Sequence, residues 1–300
     1  MPRHLVDLLL LAAIWGSSFL FMRLGAAAFG PLPLAALRVG LAAAVLLPFA
    51  LAQGHGGFMR RHWRGLLLLG ICNAGLPFAL FSYAAVTLPS ALLAIFNATV
   101  PLWGALIAGA WLGERPGPQR VSGLAVGFAG VVWLVLSRHP VTTGLLRHED
   151  HSILLPAAAC LLATVFYAGS TLATRRHWPD SPPLAVSAAS LGGATLLLAL
   201  PAAHAWPAAT PGVRAWIPAV LLAVLCTALA FVLFFRLIER AGPAYAMSVT
   251  YLIPVFTALW AHLWLDEALT PEVAAGGGLI LLGTALSNGL LKLPGRRIGA

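Results

Sequence analysis

The chain has 300 residues, of which 60% are apolar and 9% are charged, and its formal net charge is +9. Soluble globular domains carry about 25% charged residues, so the composition excludes an ordinary soluble protein. The charges lie mostly in short clusters between apolar runs of roughly twenty residues, the length that crosses the hydrocarbon of a bilayer. The sequence therefore predicts an integral membrane protein.

Ten such apolar runs follow one another along the chain. They are rich in Leu and Ala and lack the alternation of barrel strands, so each is predicted to be a transmembrane helix of an all-α protein. In chain order, the predicted spans are residues 5–22, 33–52, 65–86, 90–112, 121–136, 153–173, 184–203, 215–238, 244–265 and 273–291.

The 18 basic residues are distributed unevenly between the two sides of the predicted bundle. Thirteen lie on the side of both termini and four on the other, while Arg38 falls inside the second span. Loops rich in Lys and Arg face the cytoplasm. This predicts a multi-pass protein of the bacterial inner membrane with cytoplasmic N- and C-termini. It also accounts for the basic charge without a nucleic-acid partner.

Most of the sequence occurs twice. Pro101 recurs as Pro254, 153 residues later. Other pairs at shifts of 152 or 153 residues are Arg23 with Arg175, Gly40 with Gly192, Glu114 with Glu267 and Gly130 with Gly283. The repetition predicts two homologous halves, residues 1–138 and residues 153–300, joined by a connecting loop of residues 139–152.

Each predicted half contains five spans. Because five is odd, the second half must enter the membrane upside down relative to the first. Secondary transporters are often built from such inverted repeats, with the substrate site near the midplane where the halves meet. The sequence thus predicts alternating access between two related halves.

Several motifs carry a family resemblance. They are the Trp15-Gly16-Ser17-Ser18-Phe19 opening, Arg38 early in span two, and the twice-used pattern Pro-x9-Trp-Leu-x-Glu-x3-Pro-x4-Gly-x6-Gly. The chain resembles, over essentially its full length, the ten-helix members of the drug/metabolite transporter superfamily with two EamA-type halves. The resemblance implies export of small metabolites, with amino acids, aromatic ones in particular, as the first expectation.

Prolines inside the predicted spans mark candidate hinges. A proline inside a helix leaves the carbonyl four residues earlier without its hydrogen bond, and neither that carbonyl nor a polar side chain can face lipid cheaply. Pro77 frees the carbonyl of Asn73, Pro101 that of Asn97, and Pro254 that of Thr250. We expect these polar residues to line a substrate cavity. The alternative is helix packing through hydrogen bonds worth about 1 kcal/mol each.

The helical face that carries Asn97 in span four has a repeat partner in span nine. That partner face carries Met247, Thr250 and Thr257. We expect the two faces to lie opposite each other across the repeat axis and to hold the substrate between them.

Two repeat-related aromatic residues complete the candidate substrate site. Trp15 and Tyr167 lie near the middle of their spans, where they could stack on a substrate or simply pack in the core. Neighbours on the same or facing helices join the candidate list: Ser18, Thr164, Phe231 and Tyr251.

Carboxylates are absent from the middle of every predicted span. Asp7 lies at the edge of span one, and Glu114 and Glu267 lie at the ends of spans four and nine, where they are expected to shape the turns between helices. Intramembrane ionisable residues usually mark ion coupling. Their absence favours a neutral or zwitterionic substrate over an organic cation.

Two other ionisable residues lie inside spans. Arg38 could hold a substrate carboxylate, but the favoured interpretation is structural: the side chain reaches the membrane surface or binds carbonyls of its own half. His262 is expected to be a hydrogen-bonded packing residue rather than a site for a coupling proton.

No cofactor, metal or disulfide is expected. Cys72, Cys160 and Cys226 lie within spans without metal-ligand spacing, and nucleophile and metalloprotease motifs are absent, so the sequence does not predict an enzyme. Gly123-x3-Gly127 is a close-packing motif that seats its helix within the fold or forms a dimer face. The sequence therefore leaves a monomer or a homodimer open.

The sequence as a whole predicts a secondary transporter of small molecules in the lipid bilayer. The expected activity is export of amino acids with aromatic or other hydrophobic side chains by alternating access. Two alternatives stay open: a multidrug or nucleotide-sugar carrier of the same fold, and a non-transporting receptor or lipid-handling protein.

Overall fold

The computed structural model describes residues 3–113, 117–137 and 153–291. Within these ranges the chain forms only helices and turns, without a β-strand. The α-helices are α1 (Arg3–Phe29), α2 (Pro31–Ala52), α3 (Gly56–Arg61), α4 (Trp63–Gly70), α5 (Leu76–Ala84), α6 (Ser90–Asn97), α7 (Val100–Leu112), α8 (Pro118–Leu136), α9 (Leu154–His177), α10 (Pro183–His204), α11 (Val213–Val220), α12 (Ala230–Ala241), α13 (Pro243–Met247), α14 (Val249–Leu265) and α15 (Pro271–Ser287). Two π-helical segments, Ile71–Gly75 and Leu221–Leu229, join α4 to α5 and α11 to α12. The expected all-α class is confirmed.

Eight helical stretches of the described chain are long and apolar enough to cross a membrane. They are His4–Phe29, Pro31–Ala52, Trp63–Ala84, Ser90–Trp111, Leu154–His177, Pro183–His204, Val213–Ala241 and Tyr245–Leu265. Helices α8 and α15, with 19 and 17 residues, are also apolar and pack along each other. The chain therefore has the build of a multi-pass membrane protein.

The helices that precede the connecting loop pack against those that follow it, so the two sets do not form separate bundles. Helix α1 packs on α14, α2 on α10, and α8 on α15. Helix α9 contacts α5, α6 and α7, while α2 contacts the π-helical segment Leu221–Leu229. The largest apolar core is likewise shared, since it includes Leu11, Phe81 and Phe96 together with Ala163 and Leu237.

Glycines allow the closest of these contacts, between α8 and α15. A Cβ on Gly123 would lie 2.7 Å from the carbonyl oxygen of Gly283, and one on Gly130 would lie 2.8 Å from that of Gly276. Backbones that approach this closely exclude any side chain at the contact. Gly123 and Gly127 thus seat α8 within the fold, which is the first of the two interpretations of their motif.

Two of the three candidate hinge prolines lie where a helix departs from regular geometry. Pro77 follows the π-helical segment Ile71–Gly75, and Pro101 follows a break at Ala98–Thr99, between α6 and α7. A π-helical turn and a broken turn are two ways to accommodate a residue that cannot donate a backbone hydrogen bond.

Pro254 is different, because α14 runs through it without interruption. The break in this span comes earlier, at Ser248, between α13 and α14. There the hydroxyl of Ser248 donates to the carbonyl of Tyr245 at 2.7 Å, and that of Thr250 donates to the carbonyl of Met247 at 2.8 Å. Such local side-chain bonds compete with the helical ladder, which explains the position of the break.

The first helix is longer than the predicted span, which ended at residue 22. It continues to Phe29 and includes Arg23, which is buried and forms an ion pair with Glu267. The connecting loop of residues 139–152 and Glu114 lie outside the described residues.

Candidate functional site

A buried arginine lies where helices of the two sequence halves meet. Only 7% of the surface of Arg38, on α2, is exposed. Its Nε donates a hydrogen bond of 3.0 Å to Oγ1 of Thr227, and its Cζ lies 3.7 Å from the centroid of the Phe78 ring. The ring face and the hydroxyl both stabilise the cation. The expectation that Arg38 reaches the surface or binds carbonyls of its own half is therefore wrong.

Tyr167, on α9, extends the aromatic surface beside this arginine. Its ring centroid lies 6.3 Å from that of Phe78 and 6.2 Å from that of Phe81, the latter nearly parallel at 23°. We call Arg38, Phe78, Tyr167 and Thr227 the Arg38 cluster; it draws on α2, α5, α9 and the segment Leu221–Leu229.

The π-helical geometry of that segment positions Thr227. Its hydroxyl donates to the carbonyl of Leu222, five residues earlier, at 2.9 Å. Because the hydroxyl hydrogen is used there, a lone pair of the same oxygen remains to accept from Arg38. Sequence reasoning missed this residue, because it looked for irregular helices at prolines and no proline follows Thr227 at the spacing used there.

Trp15, on α1, packs in the core against α12. Its ring lies 5.2 Å from that of Phe234, and it is partly buried against the main apolar core. Ser18 is buried and donates to the carbonyl of Trp15 at 2.6 Å. These contacts account for both residues structurally, so their role toward a substrate stays a prediction.

The break in span four is braced by neighbouring helices. The hydroxyls of Thr99 and Thr164 lie 3.2 Å apart, and the carbonyl of Ala98 accepts from Oγ1 of Thr284, on α15, at 3.2 Å. Thr99 was not predicted, although it is two residues from Asn97 in the sequence. Thr164 thus braces the broken turn, and its role toward a substrate stays a prediction.

Asn73 and Asn97 are the polar candidates that keep free hydrogen-bonding groups. Both are partly buried, and within the described part of the chain neither side chain has a hydrogen-bond partner. Each lies at an irregular helix, in the π-helical segment Ile71–Gly75 and at the end of α6. Free amide groups at these places are what a polar cavity lining requires.

The candidates at the start of span nine lie near α15. The hydroxyl of Tyr251 accepts from the Asn288 amide at 2.8 Å and lies 3.4 Å from the carbonyl of Thr284. Thr250 is partly buried, while Met247 is 44% exposed. Thr284 therefore connects Tyr251 to the broken turn of span four, which brings parts of the repeat-related spans four and nine to one helix.

Thr257, which also lies on α14, contacts α1 instead. It is fully buried, and its Oγ1 donates to the carbonyl of Gly16 on α1 at 3.0 Å. A Cβ on Gly16 would lie 2.8 Å from Cβ of Phe256, so α1 and α14 are in close contact here. The expectation that the face carrying Thr257 lies opposite span four is thus wrong for this residue.

Phe231 packs against the same apolar core as two residues of the Arg38 cluster, Phe78 and Tyr167. It stacks on Phe235 at 6.0 Å and packs, as Tyr167 does, against a core that includes Phe78 and Leu191. His262, by contrast, is exposed on α14, which fits neither a packing histidine nor an internal proton site.

Ion pairs hold both ends of α1, and the sequence did not predict them. Glu267 pairs with Arg23 and accepts from the backbone N–H of Ser90 at 2.9 Å. At the other end, Asp7 accepts from Arg236 at 2.5 Å and from Arg240 at 3.1 Å. Glu267 is therefore more than a turn residue, because it links α1 to α6. Predicting such pairs requires knowing which charges share a membrane face.

An apolar groove of about 490 Å³ lies between α1, α14 and the segment Leu221–Leu229. Leu10, Leu225, Trp260 and Trp264 line it, with Ser17 as a polar member. In the described part of the chain, no three His, Cys, Asp or Glu side chains cluster as metal ligands would.

Comparison with known proteins decides the family. Residues 5–136 and again residues 154–289 match the EamA-like transporter family. The chain belongs to this family. It is therefore a multi-pass membrane transporter of the EamA type within the drug/metabolite transporter superfamily, and not an enzyme.

Relatives in bacteria and archaea match this EamA transporter over most of its length. A "Probable terminal-alkyne amino-acid exporter" of Streptantibioticus cattleyicolor is 28% identical over 284 residues, covering 94% of this chain and 92% of that protein. An "Uncharacterized transporter" of Archaeoglobus fulgidus is 27% identical over 295 residues, covering 95% and 96%. The "Uncharacterized inner membrane transporter YedA" of Escherichia coli is 27% identical over 252 residues, covering 82% and 78%.

A solved crystal structure has the same fold as this EamA transporter. It superposes with a TM-score of 0.67 at 22% sequence identity and covers 96% of this chain and 98% of that chain.

Proposed function

We propose that this EamA transporter exports amino acids with aromatic or other hydrophobic side chains across the bacterial inner membrane. The Arg38 cluster carries the proposal, because it combines one cation with an aromatic surface where the two halves of the chain meet. A cation beside an aromatic surface suits a small molecule that has an acid group and an apolar side chain. The amino-acid exporter of Streptantibioticus cattleyicolor, similar over almost its full length, supports the same substrate class.

We propose ten spans in two inverted repeats as the architecture. The contacts of α8 with α15 support a twofold relation: a shift of 153 residues turns the contact of Gly123 with Gly283 into that of Gly276 with Gly130, and both contacts occur. Helix packing supports it too, since α1 on α14 has a counterpart in α9 on α6 and α7. Eight long spans together with α8 and α15 make ten.

Alternating access is proposed to use the irregular helices. The segment Ile71–Gly75, shifted by 153 residues, falls inside Leu221–Leu229, so both halves carry a π-helical segment at related positions. π-Helical turns and broken helices are common at functional sites and supply local bending points. Pro77 and Pro101 are the proposed hinges of the first half, and Pro254, within the uninterrupted α14, is the proposed hinge of the second.

The remaining candidates are proposed to line the substrate path. Asn73 and Asn97 offer free amides, and Tyr167 offers a ring and a hydroxyl. Trp15, Ser18, Thr164, Phe231, Met247, Thr250 and Tyr251 are proposed as the surrounding residues.

Uptake into everted vesicles tests the proposed export. Vesicles from cells that produce the transporter should accumulate labelled phenylalanine or tyrosine several-fold faster than vesicles from cells that do not. If the two kinds of vesicles took up every hydrophobic amino acid tested at equal rates, the proposal would be contradicted.

A further inference from the structure

We infer that Arg38 is the carboxylate receptor of the transport site, so that the substrate is an organic acid held by its acid group. The inference rests on the proposed function and narrows it, because it states which part of the substrate the protein recognises.

The first support is the contrast between two buried arginines. Arg23 and Arg38 are 6% and 7% exposed, but Arg23 has a buried carboxylate partner in Glu267. Among the described residues, Arg38 has no carboxylate within ion-pair distance. A buried charge without a counter-ion is expensive, and natural proteins keep one chiefly where function requires it.

The second support is that the contacts of the Arg38 guanidinium leave its two Nη groups without a partner among the described residues. Nε is taken by Thr227 and one face is covered by Phe78. Within the described residues neither Nη donates a hydrogen bond, so both remain available to an acceptor. Two Nη groups side by side present the parallel N–H pair that binds a carboxylate in bidentate fashion.

The third support is that this cation occurs once. A shift of 152 residues places Ser190 where Arg38 stands in the first half. Ser190 is buried, and its hydroxyl has no partner among the described residues. The halves thus differ at this position, as one asymmetric site for a single acid group requires. Tyr167 and Phe78 adjoin the site and would contact the rest of the substrate.

Ligand-induced thermal stabilisation of the purified transporter tests the inference without depending on transport. The probes are 3-phenylpropanoate, which has the acid group and no amine, and its carboxamide, 3-phenylpropanamide, at equal ionic strength. The acid should raise the Tm of the wild-type protein, and the amide should not. Arg38→Gln should weaken acid binding by on the order of ten- to a hundredfold, the effect of losing a charge-assisted pair.

Two further variants guard against a folding defect. Arg64→Gln removes one positive charge from an exposed residue and should bind the acid as the wild type does. Arg38→Lys keeps the charge but not the parallel N–H pair, so its affinity should be intermediate. Equal stabilisation by acid and amide, or an Arg38→Gln protein that still binds the acid, would overturn the inference. If the acid binds through Arg38 but vesicles transport no amino acid, the proposed function fails and the inference stands.

Discussion

At the residue scale, the two buried arginines show how one residue type serves two purposes. Arg23 is neutralised by Glu267, which also accepts two hydrogen bonds from Ser90. Arg38 is stabilised by a ring face and one hydroxyl, which leaves its Nη groups for another acceptor. Burial alone would not separate these roles; the presence or absence of a carboxylate does.

Glu267→Gln should destabilise the protein strongly. It leaves Arg23 buried without the charge of its partner, a change that costs about 3–5 kcal/mol in other proteins. A thermal melt in detergent should show a Tm several degrees below that of Glu239→Gln, which removes an exposed carboxylate. Equal Tm values for the two variants would mean that the buried pair contributes nothing.

Asn97→Ala should lower transport without lowering stability, because the Asn97 side chain has no partner among the described residues. Thr99→Val should lower stability without lowering transport. It removes the hydroxyl that donates to Oγ1 of Thr164 at 3.2 Å, and such hydrogen bonds are worth about 1 kcal/mol in membranes. Vesicle transport and thermal melts of both variants separate the two effects. Unchanged transport in Asn97→Ala would remove this residue from the proposed lining.

At the element scale, the neighbours of each proline decide whether its helix breaks. Pro101 follows a broken turn that α9 and α15 hold in place through Thr164 and Thr284. Pro254 lies in a helix whose next turn is anchored to α1 through Thr257. The sequence predicted irregularity at both prolines because an internal proline removes a helical hydrogen bond. It could not show these contacts, which depend on helices far away in the chain.

The close contact between α8 and α15 should not tolerate an added methyl group. Gly283→Ala would place a Cβ 2.2 Å from the backbone nitrogen of Gly127, and overpacking of this kind costs about 1–3 kcal/mol. Gly278→Ala, in the same helix, meets nothing within 4 Å and should be neutral or slightly stabilising. Thermal melts compare the two. A Gly283→Ala protein as stable as Gly278→Ala would contradict the close contact.

At the scale of the whole molecule, the apolar runs predicted the helical class and the motifs predicted the family, while the contacts of the site emerged only from the folded chain. The shift of 153 residues identifies equivalent positions within the halves, but not which residues meet between them. Arg38 and Thr227 are 189 positions apart, and Arg23 and Glu267 are 244 apart. Their contacts depend on how the halves are rotated against each other, which no local pattern encodes.

Orientation in the membrane is a prediction at the same scale. In a protein whose native cysteines are replaced, Ser137→Cys should react with an impermeant maleimide added to intact cells. Gln53→Cys, at an exposed residue after α2, should react only once the inner membrane is made permeable. The positive-inside distribution is the physical reason. The reverse pattern would place both termini outside the cytoplasm.

Counterflow in proteoliposomes tests alternating access with an amino acid most directly. Liposomes with the purified transporter are loaded with unlabelled phenylalanine, and labelled phenylalanine is added outside. A carrier that exposes one site to each side in turn should exchange the two, so that labelled phenylalanine accumulates transiently above its equilibrium level. Uptake no faster than in protein-free liposomes, for phenylalanine and for every other amino acid tested in the same way, would contradict the account.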